Sequence, residues 1–332
     1  MIRQLIERVH GRSLSAVLPE GKDARIVAAA RRLKDEGIAQ PIVLGTFNEI
    51  EAAADNAGVP LDGISIITPA ESDRLEAYAA AYARNRGLEV KIGRRIVKRP
   101  LYFGCMMVAE GDANTMVAGV THTTASVISA GVLTVGLAKG VEIPSSFFLM
   151  IIPEFEGRKN HVLMYADCGV TIAPTSAQLA DIALASERSA RELLSETPRV
   201  AMLSFSTKGS ASHDHVDRVT EALKIAKDKA SHVMIDGEFQ ADAAIVPAVA
   251  AKKIKEPSSV AGRANVLIFP DLNSGNIAYK LTESLAGAEA IGPILQGFKK
   301  PISDLSRGAT VEDIVDAVVV CLVRCLKGAN AP

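Results

Sequence analysis

The segment Val200–Ile235, VAMLSFSTKGSASHDHVDRVTEALKIAKDKASHVMI, carries two structural periods in one run of chain. Val200–Phe205 is a short apolar stretch of the kind that fills a buried strand. His213–Ala230 reads as a helix that opens after a serine-rich loop, and His232–Ile235 returns to strand. Two strands joined through a helix are the signature of a crossover between parallel neighbours, and so of an α/β protein.

The same alternation extends along the chain in both directions. Further strands are predicted at Ile42–Leu44, Ile64–Thr68, Phe147–Ile152, Val162–Ala166 and Val266–Phe269. Further helices are predicted at Asp23–Glu36, Glu71–Arg86, Ser176–Leu194, Asn276–Leu285 and Val311–Cys325. Gly37 and Gly87 stand where helices stop, because glycine enters the left-handed conformation without a Cβ clash. Pro174-Thr175-Ser176 is a helix start, and His213-Asp214-His215 is another rather than a metal site. The sheet is expected to be substantially parallel. Gly140 and Pro144 mark the only internal boundary.

The 332 residues are enough for two domains. With no tryptophan and 4% aromatic residues, the core has to be aliphatic. A net charge of −1 is not the electrostatic footprint of a nucleic-acid binder, so no nucleic-acid partner is expected. The start, MIRQLIERVHGR, sets Ile2, Leu5, Ile6 and Val9 at helical spacing but lacks the apolar core of a secretory signal. No apolar run approaches the ~20 residues of a membrane span. The expectation is a cytoplasmic enzyme without membrane attachment. Cys105, Cys168, Cys321 and Cys325 show neither CxxC nor zinc-like spacing, so no disulfide framework and no metal site are expected.

Two segments carry candidate chemistry. Pro301–Asp313, PISDLSRGATVED, sets a hydroxyl (Ser306), a guanidinium (Arg307) and a glycine just ahead of a helix, with Asp313 one turn inside it. Thr310 and Asp313 also fit a helix-capping pair, which is the bland reading of that acid. Pro270–Lys280, PDLNSGNIAYK, follows a strand and reads as a polar turn in which Gly275 permits positive φ. Polar loops at helix starts suit phosphate-bearing ligands. Neither a Walker loop nor a dinucleotide GxGxxG is present, which disfavours ATP hydrolysis and a standard nicotinamide site. Seven basic residues, Arg84, Arg86, Lys91, Arg94, Arg95, Lys98 and Arg99, form either a solvated face or a landing site for nucleotide phosphates.

These segments resemble the carboxy-terminal signature of the phosphate acetyltransferases, and the resemblance spans almost the whole chain. It covers SAVLPEGKDARIVAAARRLKDEGIAQPIVLG, LYFGCMMVAEGDA, MYADCGV, RVAMLSFSTKGS and DAAIVPAVAAKK, then VAGRANVLIFPDLNSGNIAYK and GAEAIGPILQGFKKPISDLSRGATVEDI. It implies the isocitrate/isopropylmalate dehydrogenase-like fold: two α/β domains around a cleft, in a homodimer, with the carboxy-terminal segment returning to the first domain. On this chain the domains become 1–143 with 298–332, and 144–297.

The activity implied is reversible acetyl transfer between acetyl-CoA and phosphate, giving acetyl phosphate and CoA by direct thiolate attack. Coenzyme A enters as a substrate, and no metal or permanently bound cofactor is implied. The family's proton acceptor falls on Asp313, its active-site serine on Ser306 and its substrate arginine on Arg307. Substrate-binding positions fall on Arg84, Thr123, Thr124, Tyr279 and Asn273. Typical members continue as HTTADTIRPA where this chain has HTTASVISAG, so Ser126 and Ser129 replace an acid and an arginine.

The alternatives left open are a propionyl or butyryl transferase with a reshaped pocket, and a catalytically impaired homologue that binds CoA or acyl phosphate. A metal-dependent NAD-linked hydroxyacid dehydrogenase of the same fold would need a set of cleft aspartates that the sequence does not supply. An acyl-enzyme on Cys168 has no evident paired base.

Overall fold

The computed structural model describes residues 1–328, so positions 329–332 of the expected first domain lie outside the described residues. The chain divides into two compact units. One comprises Ile2–Ala138 together with the chain from Phe298 onward, and the other is Lys139–Gly297.

The first unit starts with α1 (Ile2–Val9), β1 (Ser15–Leu18), α2 (Ala24–Asp35), β2 (Gln40–Leu44), α3 (Phe47–Ala57) and β3 (Ser65–Ile67). It continues with α4 (Leu75–Arg86), α5 (Val90–Val97), α6 (Pro100–Glu110), β4 (Thr115–Ala118) and α7 (Thr124–Thr134). The second unit holds β5 (Ser145–Phe155), β6 (Arg158–Ala166), α8 (Ser176–Leu193), β7 (Val200–Leu203), α9 (Asp214–Lys229) and β8 (Ile235–Phe239). It is completed by α10 (Ala241–Ile245), α11 (Pro247–Lys253), β9 (Val266–Ile268), α12 (Leu272–Ala286) and β10 (Glu289–Gln296). The chain then returns to the first unit as β11 (Ile302–Asp304) and α13 (Val311–Gly328).

The first unit's sheet runs β11-β4-β1-β2-β3, and every pairing in it is parallel. All its strands therefore end on one edge, and the loops after β1, β4 and β11 are neighbours there. The returning α13 buries Ile314, Val315 and Val318–Val323 almost completely, which explains why that stretch is apolar around its whole circumference. Asp23 caps α2, and Ile26, Val27, Ala30 and Leu33 fill one face of that helix.

The second unit's sheet runs β10-β5-β6-β9-β7-β8 and is mixed. β5 and β6 form an antiparallel hairpin and β10 joins it antiparallel, whereas β6, β9, β7 and β8 are parallel. Parallelism is thus confined to the β6-β9-β7-β8 part of this sheet. The strand read at His232–Ile235 is displaced: β8 begins at Ile235 and continues through Asp236 and Glu238. Those acids conceal it because each has a partner. Lys208 Nζ meets Asp236 at 2.7 Å, and Ser206 Oγ donates to Glu238 at 2.8 Å. His213 caps α9, its Nδ1 accepting the His215 amide at 3.1 Å.

The helix read from Asn276 begins four residues earlier, at Leu272, because Asp271 accepts the Ser274 amide at 2.8 Å as an N-cap. Asn273 and Gly275 are therefore helical. Gly275 serves close approach rather than positive φ, since a Cβ there would lie 2.4 Å from the Asp167 carbonyl oxygen.

Candidate active site

Three loops at the strand-end edge of the first unit's sheet build the site, and two side chains from Pro19–Arg25 organise them. Glu20, whose side chain is 0% exposed, follows β1 and points under the loop after β4. Its Oε2 accepts the amides of Gly119 (2.8 Å) and Val120 (3.0 Å). Its Oε1 accepts the Thr121 amide (2.8 Å) and hydroxyl (2.7 Å), the His122 amide (2.9 Å) and His122 Nδ1 (2.8 Å). Burial alone would raise this carboxyl, but the hydrogen bonds from His122, Thr121 and Gly119 outweigh it and bring the pKa down to about 2.

Arg25 does the same for the loop after β11. It is anchored on Asp23 at 2.8 Å, and its Nη1 donates to the carbonyls of Arg307 and Ala309, both at 2.9 Å. With the backbone of Ser306–Ala309 held in this way, the exposed Arg307 guanidinium makes no ion pair among the described residues. Ser306 is exposed, and its Oγ accepts the Gly308 amide at 3.2 Å.

Asp313 occupies the first turn of α13 as a capping partner. Its Oδ2 accepts the amide and the hydroxyl of Thr310, both at 2.8 Å, and its own amide donates to Thr310 Oγ1 at 3.2 Å. Its neighbour Glu312 pairs with Arg32 of α2, so the start of α13 is tied to the same helix that carries Arg25.

Thr123 caps α7, and its hydroxyl lies 2.9 Å from that of Ser126. Thr124 Oγ1 donates to Asp304 Oδ2 at 2.5 Å, joining α7 to the end of β11. Asp304 is buried, and its Oδ1 has no hydrogen-bond partner among the described residues. Burial pushes its carboxyl up to about 6, with the Glu20 charge adding to the rise, against the pull of the Thr124 hydroxyl and the nearby Leu305 amide. Gly119 has φ of +134°, and a Cβ there would lie 2.4 Å from the Leu305 carbonyl oxygen. Glycine is what lets the two loops touch.

A cavity of about 340 Å³ opens beside this edge, walled by Arg99, Tyr102, His122, Ser126 and Ser129. Arg99 lies 4.3 Å over the Tyr102 ring. Both serines that depart from the resembled pattern therefore sit on one cavity wall with a guanidinium on the same cavity.

The structure gathers Asp313, Ser306, Arg307, Thr123 and Thr124 onto one edge of one sheet. Arg84 lies exposed on the last turn of α4, whereas Arg94 of α5 is paired with Glu76 in the first turn of α4. Asn273 and Tyr279 belong to the second unit. Asn273 is exposed on α12, whereas Tyr279 packs into the core, stacked on Phe148 at 4.1 Å with Lys280 Nζ 4.9 Å from its ring. Among the described residues no group of three His, Cys, Asp or Glu side chains is arranged to hold a metal ion. A larger cavity of about 580 Å³ in the second unit, walled by Phe155, Ile245, Pro247 and Ile254, carries none of the candidate residues.

Glu20, Arg25, His122 and Asp304 were not singled out by the candidate motifs. The available signal was PEGKDAR, an acid and a base placed between an apolar strand and a helix cap, where side chains reach the neighbouring strand ends.

The chain matches the model of the phosphate acetyl/butaryl transferase family over residues 1–322. It is 46% identical over 328 residues to a phosphate acetyltransferase of Thermoanaerobacterium thermosaccharolyticum, covering 98% of this chain and 99% of the relative. It is 44% identical over 326 residues to one of Acetivibrio thermocellus, covering 97% of each. The solved structure of EutD phosphotransacetylase from Staphylococcus aureus superposes with a TM-score of 0.90 at 35% identity, covering 98% of both chains.

Proposed function

Because the chain belongs to the phosphate acetyl/butaryl transferase family, we propose that its first unit's strand-end edge is where acetyl groups pass between CoA and phosphate. The enzyme is an acyltransferase of the phosphate acetyltransferase class, with acetyl-CoA, phosphate and acetyl phosphate as reactants. The observation that carries the site is the Arg25 clamp. It fixes the backbone of Arg307 and Ala309 while the Arg307 guanidinium stays exposed for an anion.

In this reading Asp313 accepts the CoA thiol proton, Ser306 hydrogen-bonds the thiol or the tetrahedral oxyanion, and Arg307 neutralises phosphate. A thiol near ~8.5 and a carboxylate near ~3.9 differ by ~4.6 units, about 6 kcal/mol. Proton removal by Asp313 is therefore coupled to formation of the carbon–sulfur bond. The Thr310 cap occupies Oδ2, so Oδ1 is the basic atom. Thr123 and Thr124 frame the acyl phosphate through the α7 start, Arg84 takes a CoA phosphate, and Asn273 and Tyr279 serve the substrate from the second unit. No resident cofactor or metal is required by this chemistry.

We further propose the isocitrate/isopropylmalate dehydrogenase-like fold, with substrates held between two domains, a homodimeric state and a cytoplasmic location. The dimer is supported by α12, where Ile277 (57% exposed), Leu281 (52%) and Leu285 (82%) form an apolar stripe at helical spacing. Among the described residues no helix is long and apolar enough to cross a membrane.

The test is CoA-dependent formation of acetyl-CoA from acetyl phosphate, with propionyl and butyryl phosphate alongside because Ser126 and Ser129 reshape a cavity wall. Asp313→Asn is expected to lower kcat by roughly 10²–10⁴-fold in a folded protein. Wild-type turnover in that variant would return Asp313 to a cap alone. Faster turnover of butyryl than acetyl phosphate would favour the longer-chain reading.

A further inference from the structure

We propose that His122 is a further catalytic residue of the acyl transfer, exchanging a proton with the phosphate oxygen while Glu20 holds its ring. The inference rests on the acyltransferase reading and goes beyond it by assigning the second proton of the reaction.

The first support is an inventory of the loop between β4 and α7. The amides of Gly119, Val120, Thr121 and His122 and the hydroxyl of Thr121 are all spent on Glu20. The Thr123 oxygen accepts the Ser126 amide and its hydroxyl faces that of Ser126 at 2.9 Å, while the Thr124 hydroxyl donates to Asp304. This loop is therefore not a backbone cradle for phosphate. Apart from the amides at the start of α7 and the Thr123 hydroxyl, which is shared with Ser126, the proton-bearing group it leaves uncommitted among the described residues is His122 Nε2.

The second support is the tautomer. A carboxylate that is ionised down to acid pH only accepts, so His122 Nδ1 carries a proton and donates it to Glu20 Oε1 at 2.8 Å. Nε2, on the far side of the ring, is then the atom left to carry either a lone pair or an N–H. A carboxylate that orients an imidazole in this way is the arrangement of an acid–base dyad.

The third support is place. The side chain is 37% exposed and lines the 340 Å³ cavity with Arg99, Tyr102, Ser126 and Ser129. Its loop also lies between the loops after β1 and β11, the latter carrying Ser306 and Arg307. The charged and titratable groups around the ring are Glu20 from the β1–α2 loop, Arg99 from the start of α6, Tyr102 within α6, and Asp304 beyond Glu20 at the end of β11.

The chemistry requires such a group. When the CoA sulfur bonds to the acetyl carbon, the electron pair of the breaking carbon–oxygen bond goes to phosphate. Without a proton the leaving group is a trianion. Protonated His122 donates from Nε2 as that bond breaks, and HPO₄²⁻ leaves. In the reverse direction neutral Nε2 removes the proton of HPO₄²⁻ as its oxygen attacks the thioester. Across one forward turnover the thiol proton goes to the base and another passes from His122 to phosphate, and solvent exchange restores both groups.

The experiment is a pair of pH–rate profiles, one in each direction, for wild type and His122→Gln. The glutamine amide can still donate to Glu20, so the loop clamp is kept while proton exchange is lost. Wild type should lose kcat with rising pH in the acetyl-CoA-forming direction and with falling pH in the opposite one. His122→Gln should lower kcat by roughly 10²–10⁴-fold, change KM for CoA little, and remove both limbs. A variant within about fivefold of wild type that retains both limbs overturns the proposal.

A second readout needs no turnover. In ¹⁵N-histidine spectra of the wild-type protein, His122 Nδ1 should stay protonated through the titration, and CoA plus inorganic phosphate should move the Nε2 signal. An unmoved signal at saturating phosphate also overturns the proposal. Wild-type protein without acyl transfer whose Nε2 still answers to phosphate would sink the proposed function and keep the site.

Discussion

Replacing Glu20 by glutamine removes one charge and adds two hydrogens without changing the shape of the side chain, so its effect can be worked from the loop geometry. The glutamine NH₂ does least harm where Oε2 now accepts two amides, Gly119 and Val120, because the other oxygen has four donors around it. Two buried amides then face a donor, at about 1–3 kcal/mol each, or about 2–6 kcal/mol in all. The charge gives an independent figure. The carboxyl moves from 4.5 to about 2 on folding, a depression worth on the order of 3 kcal/mol. A carboxyl with a depressed folded pKa stabilises above its unfolded value and loses that stability as pH falls toward the folded one. The wild-type advantage over Glu20→Gln should thus be full above about pH 5 and less than half by about pH 3.

Urea unfolding followed by circular dichroism at several pH values reads this difference. Hydrogen exchange across Thr115–Ala125 locates it, since the amides of Gly119–His122 should exchange faster in the variant. A difference below about 1 kcal/mol at neutral pH, or one that is undiminished in acid, would refute the clamp.

Asp304 should behave in the opposite sense. Its carboxyl is raised by burial to about 6, so the protein loses stability as pH rises through that value, and Asp304→Asn should gain up to about 3 kcal/mol near pH 8 and almost nothing near pH 4. Urea midpoints at the two pH values check this, and equal gains at both would contradict it. Leu281→Glu on the α12 stripe should halve the mass seen by light scattering while far-UV dichroism stays unchanged, and a wild-type mass in the variant would remove α12 from the interface.

Most of the elements were legible in the chain because they repeat a local physical rule. Val311–Cys325 is apolar enough to be a buried helix on its own, and Thr310 and Asp313 announce its cap. Gly87 ends α4 at φ +64° for the same reason that glycine ends other helices. Strands with polar partners were not legible. β8 carries Asp236 and Glu238 because Lys208 and Ser206 wait for them from thirty residues away, and the short strands Ser15–Leu18 and Ile302–Asp304 show no period of their own.

The site divides along the same line. Ser306, Arg307 and Asp313 lie within eight residues, so their association is a property of local sequence. What that sequence determined was which functional groups would stand at one helix start. Only the tertiary structure decided that Glu20 lies under His122, that Arg25 grips the carbonyls of Arg307 and Ala309, and that Thr124 meets Asp304. Those contacts join positions about 100, 280 and 180 residues apart. They arise because parallel strands β1, β4 and β11 end side by side, and no local pattern of residues encodes which strand ends will be neighbours.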